Sequence, residues 1–168
     1  KYSACEESMR KHQGKAVVFN CEEDAHDAVV EGRINPGEIM IIRYEGPRGS
    51  GMPEMLMTTE AIVCDHKLNG KVSLITDGRF SGASRGASIG HISPEAAVGG
   101  PIALVEEGDI ISIDIPNMTI HMDVSDEELA KRREAWQPRE PRIKEGYLRR
   151  YAAQVTSGNM GAILKQPE

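Results

Sequence analysis

Residues 74–100 read LITDGRFSGASRGASIGHISPEAAVGG, and the change of character within this stretch decides how the chain is read. Its approach, Val72-Ser73-Leu74-Ile75-Thr76, is a short apolar run bounded by Lys71 and Asp77, the pattern of a buried strand. The run breaks into a loop carrying Gly78, Gly82, Gly86 and Gly90, with Ser81, Ser84 and Ser88 between them. Glycine at this density permits positive φ and lets a ligand approach the main chain. A strand feeding such a loop is a common place for an α/β fold to present chemistry. Composition alone favours the plainer reading, a glycine-rich turn whose serines cap the next helix.

Working outward, Ala16-Val17-Val18-Phe19 reads as a short strand, and EEDAHDAVVE over 22–31 as a helix. That helix is acidic in its first turn, apolar at Ala25, Ala28 and Val29, and closed by Gly32. Residues 38–43 (EIMIIR) form a near-continuous apolar run, the mark of a strand buried on both faces. The Gly/Pro loop 44–53 follows at its C-terminal end, then a predicted helix over 54–63. Beyond the central loop, 101–105 (PIALV) reads as a further strand. DIISID (109–114) and TIHMDV (119–124) alternate and flank Pro116-Asn117, which predicts a hairpin. Ser125 and Glu128 make a capping box for a helix to about Trp136, supported by Glu127–Lys131 and Glu128–Arg132 pairs. A Pro-rich connector over 137–144 leads to a last helix whose apolar face is Tyr147, Leu148, Tyr151, Ala152 and Val155. Short strands, mixed pairing and few long helices predict an α/β domain. No repeat or low-complexity segment interrupts it.

The 168 residues suffice for one domain with a real core, expected over 15–168 behind a polar lead-in at 1–14. A formal charge of −6 argues against a nucleic-acid surface, and no apolar run is long enough for a membrane span. The first residues lack the apolar segment of a signal peptide, and the absence of an initial methionine predicts a piece of a longer protein. Aromatic residues are 4% of the chain, so the core falls to Val, Ile, Leu, Met and Ala. Cys5, Cys21 and Cys64 are an odd count without CxxC spacing, which argues against a disulfide framework or zinc site and for reduced thiols in the cytoplasm.

The residues themselves shift the balance at the central loop. Ile75-Thr76-Asp77-Gly78-Arg79-Phe80-Ser81-Gly82, then Gly90-His91 and Ser93-Pro94-Glu95-Ala96-Ala97, closely resemble the signature of the dihydroxyacid dehydratase and phosphogluconate dehydratase family. Two further blocks agree in order: Tyr44-Glu45-Gly46-Pro47-Arg48-Gly49 with Gly51-Met52-Pro53-Glu54-Met55, and Gly158-Asn159-Met160-Gly161-Ala162. The resemblance covers residues 14–164 and only the C-terminal part of the family's proteins. It implies a swivelling β/β/α domain, a barrel-like mixed sheet flanked by helices, which pattern alone does not reach.

Dehydrating a 2,3-dihydroxy acid means removing a weakly acidic proton beside a carboxylate and expelling hydroxide, which calls for a Lewis acid and stabilisation of the enolate. A serine serves as base only when ionised, a state favoured by a nearby cation and backbone N–H donors. The resemblance implies Ser81 as that catalytic proton acceptor and Glu54 as a Mg²⁺ ligand, a carboxylate being the expected partner of a hard cation. One carboxylate cannot hold Mg²⁺, so the remaining ligands are expected in the absent N-terminal region, together with the cysteines of an iron–sulfur cluster. Arg79, Gly82, Ser84 and His91 are candidate substrate-binding residues. For His91 a buried, hydrogen-bonded structural role is at least as strong a reading, and for Arg79 and Arg85 an ion pair with an acid such as Asp77. Glu45 reads as a loop carboxylate near the site with a structural role. His12, His26, His66 and His121 show no ligand spacing.

The expectation is therefore the C-terminal domain of a hydro-lyase, a dihydroxyacid dehydratase of branched-chain amino-acid synthesis, inactive by itself. Its partners would be an N-terminal dehydratase domain, a small dihydroxy acid and further copies of itself. The surface facing the missing domain is expected to carry Ser81, Glu54 and exposed Met52, Met55 and Phe80. A sugar-acid dehydratase is the rival within the class, weakened by Ala83 where some of those enzymes place a hydroxyl residue. A free-standing binding or regulatory domain is the rival outside it.

Overall fold

The computed structural model describes residues 5–82 and 84–165. Six strands form one mixed sheet: β1 Lys11–Phe19, β2 Ile39–Ile42, β3 Ser73–Thr76, β4 Ala87–Ile89, β5 Ile110–Asp114 and β6 Thr119–Met122. Their order across the sheet is β4-β3-β2-β1-β5-β6. β1 to β4 are parallel, while β5 pairs antiparallel with β1 and β6 with β5. The parallel half grows from crossover units through helices α1 (Glu22–Val30) and α2 (Leu56–Cys64).

Burial explains why β2 is apolar at every position. Met40 and Ile42 point into one core cluster, with Ala25, Ala28 and Val29 of α1, Ile62 of α2 and Leu74 of β3. Ile39 and Ile41 point into a second, with Ala16, Ile75, Ile111, Ile113 and the 3₁₀ turn Pro101–Leu104. A strand covered on both faces needs no polar alternation. β5 alternates because only one of its faces meets the core, whereas the edge strand β6 is exposed at Thr119, Ile120 and His121 and half-buried only at Met122; the two form the expected hairpin.

The sheet curls into a half-barrel. Although β4 and β6 are opposite edges, residues after and within β4 (Ser88, Ile89, His91) and along the hairpin (Ile113, Ile115, Ile120) line one cleft of about 530 Å³. Cys5 and Met9 close the neighbouring gap by packing on Ala87 and Ile115. Barrel-like sheet and flanking helices thus agree with the expected fold class.

Four local expectations are corrected. β1 extends back to Lys11, because residues 11–15 pair with β5, so part of the expected lead-in is strand. PIALV is a 3₁₀ turn over Pro101–Leu104, opened by Pro101, rather than a strand. β4 arises within the Gly/Ser run that reads as loop. Met55 is fully buried: its N–H donates to the Arg79 carbonyl (3.0 Å) and its side chain enters the first core cluster. Helix α3, Asp126–Ala135, starts on the predicted cap, with the Glu128 N–H donating to Ser125 Oγ at 3.3 Å. Arg132 reaches Glu128 as expected (3.3 Å) but also clamps Asp109 at 2.6 Å, tying α3 to the foot of β5. Helix α4, Gly146–Gln154, leaves Tyr147 and Leu148 exposed, and the buried apolar residue is Val155 just beyond its end. Among the described residues no helix is long and apolar enough to cross a membrane.

Candidate functional site

Parallel strands deliver their following loops to one end of a sheet, so the segments after β2 and β3 emerge side by side. The two segments are joined directly. Glu54 and Arg79 form a parallel β-bridge, and Arg79 Nη1 lies 3.2 Å from Glu54 Oε1. Arg79 Nε donates to the Met52 carbonyl at 2.7 Å. Ser81 stands two residues beyond Arg79, which leaves no more than about 7 Å of chain between it and the bridge. Glu54 and Ser81 therefore belong to one loop pair.

His91 joins them from the segment after β4, its N–H donating to the Gly78 carbonyl (2.9 Å). It is exposed, sits at φ 60, and lines the interedge cleft beside Phe80. Burial as a structural histidine is thereby overturned: the side chain is exposed at the cleft, on a backbone in the left-handed region. Gly82 is exposed, and among the described residues beyond its chain neighbours no atom lies within 4 Å of where a side chain would begin. Ser84 is buried and lines, with Arg85, a groove against Leu56, Glu60 and Val63 of α2. Ala83 lies outside the described residues. Arg79 pairs with Glu54, not Asp77.

Asp77 is engaged elsewhere. It is 1% exposed and accepts the N–H groups of Tyr44 (3.1 Å), Glu45 (2.8 Å) and Ala96 (2.8 Å). Burial pushes its carboxyl above the ordinary value, and the three donors pull it back. Glu95, 0% exposed, accepts from Arg48 (2.9 Å) and Gly49 (3.0 Å), and burial raises it too. Glu45 is buried, accepting from the Ser50 hydroxyl and from the Glu22 N–H (3.0 Å), as its reading as a structural loop carboxylate requires. Glu22 in turn accepts the Thr58 N–H of α2 at 3.1 Å. Close packing demands glycine here: a Cβ on Gly49 would fall 2.2 Å from the Tyr44 carbonyl oxygen.

Asp77 and Glu95 carried little signal in the sequence beyond membership of a conspicuous motif. An acid directly after a four-residue buried strand was the one local hint, since a carboxylate there needs buried donors.

Among the described residues no three His, Cys, Asp or Glu side chains converge, and the thiols are separate, Cys5 buried, Cys21 half-buried and Cys64 exposed. Glu54, with 37% of its side chain exposed, could offer one carboxylate to a hard cation.

Two loops bridged at the C-terminal ends of parallel strands in a half-barrel set Glu54, Arg79 and the Ser81 segment on one rim. A model of the family described as dihydroxy-acid/6-phosphogluconate dehydratase, C-terminal, matches residues 1–162. The chain is 65% identical, over 99% of its length, to a dihydroxy-acid dehydratase of Agathobacter rectalis, 64% identical over 98% to that of Lachnospira eligens, and 61% identical over 100% to that of Clostridium kluyveri. The chain belongs to the dihydroxy-acid/6-phosphogluconate dehydratase family. It spans about 30% of the length of these relatives.

Proposed function

We propose that this chain is the C-terminal domain of a hydro-lyase that converts a 2,3-dihydroxy carboxylic acid to a 2-keto acid, with a branched dihydroxy acid as substrate. The observation that carries this reading is the Glu54–Arg79 bridge, which aligns the loop of the candidate base with the loop of the candidate cation ligand. Ser81 takes the proton from the carbon beside the substrate carboxylate. Its loop is glycine-rich, so backbone N–H groups can approach a developing negative charge. Arg79, half exposed and on the rim, is suited to orient a carboxylate as well as to hold Glu54. His91 faces the same rim and can position the substrate hydroxyls. The departing hydroxide requires a Lewis acid, which the iron–sulfur cluster and Mg²⁺ proposed for the longer protein would supply. The cluster cysteines and the remaining cation ligands are assigned to an N-terminal domain that docks on this rim. A cytoplasmic, homo-oligomeric enzyme suits the free thiols and the acidic surface.

The relatives' shared name favours the dihydroxy-acid branch over sugar acids and over a binding module. The test is turnover by the full-length protein of a branched 2,3-dihydroxy acid against an aldonic acid. Keto-acid release from the first and not the second supports the reading, and the reverse result moves it to the sugar-acid branch.

A further inference from the structure

The side chains that lock these loops together are not those the substrate would touch. Asp77 and Glu95 are 1% and 0% exposed, yet between them they accept five backbone N–H groups, from Tyr44, Glu45, Ala96, Arg48 and Gly49. We propose that Asp77 and Glu95 are positioning residues for the dehydration, fixing the 44–53 loop, and with it Glu54, against the loop that carries Ser81. This rests on the dehydratase reading above.

Three observations support it. Burying a carboxylate is expensive unless donors converge on it, so two such groups at one loop junction specify a conformation rather than add cohesion. The loop they hold contains two non-glycine residues in the left-handed region, Tyr44 at φ 69 and Met52 at φ 63, which persist only where surroundings dictate them. The Tyr44 N–H goes to Asp77, and the Met52 carbonyl is held by Arg79, two residues past Asp77. Finally, the clamp continues to the helix that follows Glu54: Asp77 holds the Glu45 backbone, the Glu45 carboxylate holds the Glu22 N–H, and the Glu22 carboxylate holds Thr58 of α2. Both flanks of Glu54 are thus referred to the end of β3.

The test uses the full-length protein with a branched 2,3-dihydroxy acid, comparing wild type, Asp77→Asn, Glu95→Gln and Ser81→Ala. Each amide keeps the shape but turns an NH₂ toward backbone N–H groups, displacing the loop. Misplacement of about 1 Å can cost ~100-fold, so kcat should fall at least ~30-fold, with KM within about threefold and circular dichroism unchanged. The two amide variants report independently, so one that fails to fold leaves the other to decide. Folded variants with wild-type kcat, or the failure of both to fold, would overturn the proposal. An inactive Ser81→Ala beside fully active amide variants refutes positioning alone, whereas an active Ser81→Ala refutes the underlying reading.

Discussion

Arg79 holds Glu54 twice, by a backbone bridge and by a guanidinium 3.2 Å from its carboxylate. The pairing gives the glutamate a fixed place on the rim and a cation already beside it. Arg79 engages Oε1 alone, so the second carboxylate oxygen of Glu54 is the one a divalent ion could take without displacing the guanidinium.

Glu54→Gln removes the charge a hard cation needs while keeping the side chain's length. In the full-length protein the Mg²⁺ concentration for half-maximal activity should rise by about tenfold or more. An unchanged Mg²⁺ titration would make Glu54 a structural partner of Arg79 and nothing else.

Ile41 is 1% exposed in the central parallel strand and packs in the second core cluster. Ile41→Ala should destabilise the 168-residue chain by about 2–5 kcal/mol, the range for deleting a buried branched side chain. Urea unfolding followed by circular dichroism gives the value, and a loss under about 1 kcal/mol would contradict the burial described.

How much of this was legible follows the same physics. β2 could be read from Ile39 to Ile42 because burial on both faces leaves a continuous apolar signature. The same signature misled at PIALV, since an apolar run beginning with proline suits a buried 3₁₀ turn equally well. β4 was illegible because three residues, Ala87, Ser88 and Ile89, are too few to show a strand pattern amid glycines and serines that favour loops. Ser81 and Glu54 were nameable only through the family resemblance. Asp77 and Glu95 escaped because the donors that justify burying them come from up to 47 residues away. No local pattern encodes such convergence.

Arg142 in the Pro-rich connector grips Glu23 of α1 with two hydrogen bonds, 2.9 and 2.6 Å. Its guanidinium holds the Glu23 carboxyl down from 4.5 to about 2. A depressed carboxyl stabilises the fold above its ordinary value and loses that contribution as pH falls through the folded value. Wild type should therefore exceed Arg142→Ala in stability at pH 5–7, by no more than ~1 kcal/mol because both side chains are half exposed. The difference should shrink between pH 4.5 and 2. A gap that persists at pH 2 would show that Arg142 acts by packing instead.

The central claim is that Ser81 is the proton acceptor, and the most direct measurement is kcat of Ser81→Ala in the full-length protein. Cluster absorbance, Mg²⁺ content and circular dichroism are recorded alongside. If Ser81 is that base, turnover falls by at least ~100-fold, the lower end of what a positioned base contributes, while the fold and cofactor content stay at wild-type levels. Retention of most of the wild-type kcat in a folded, fully loaded variant would contradict it.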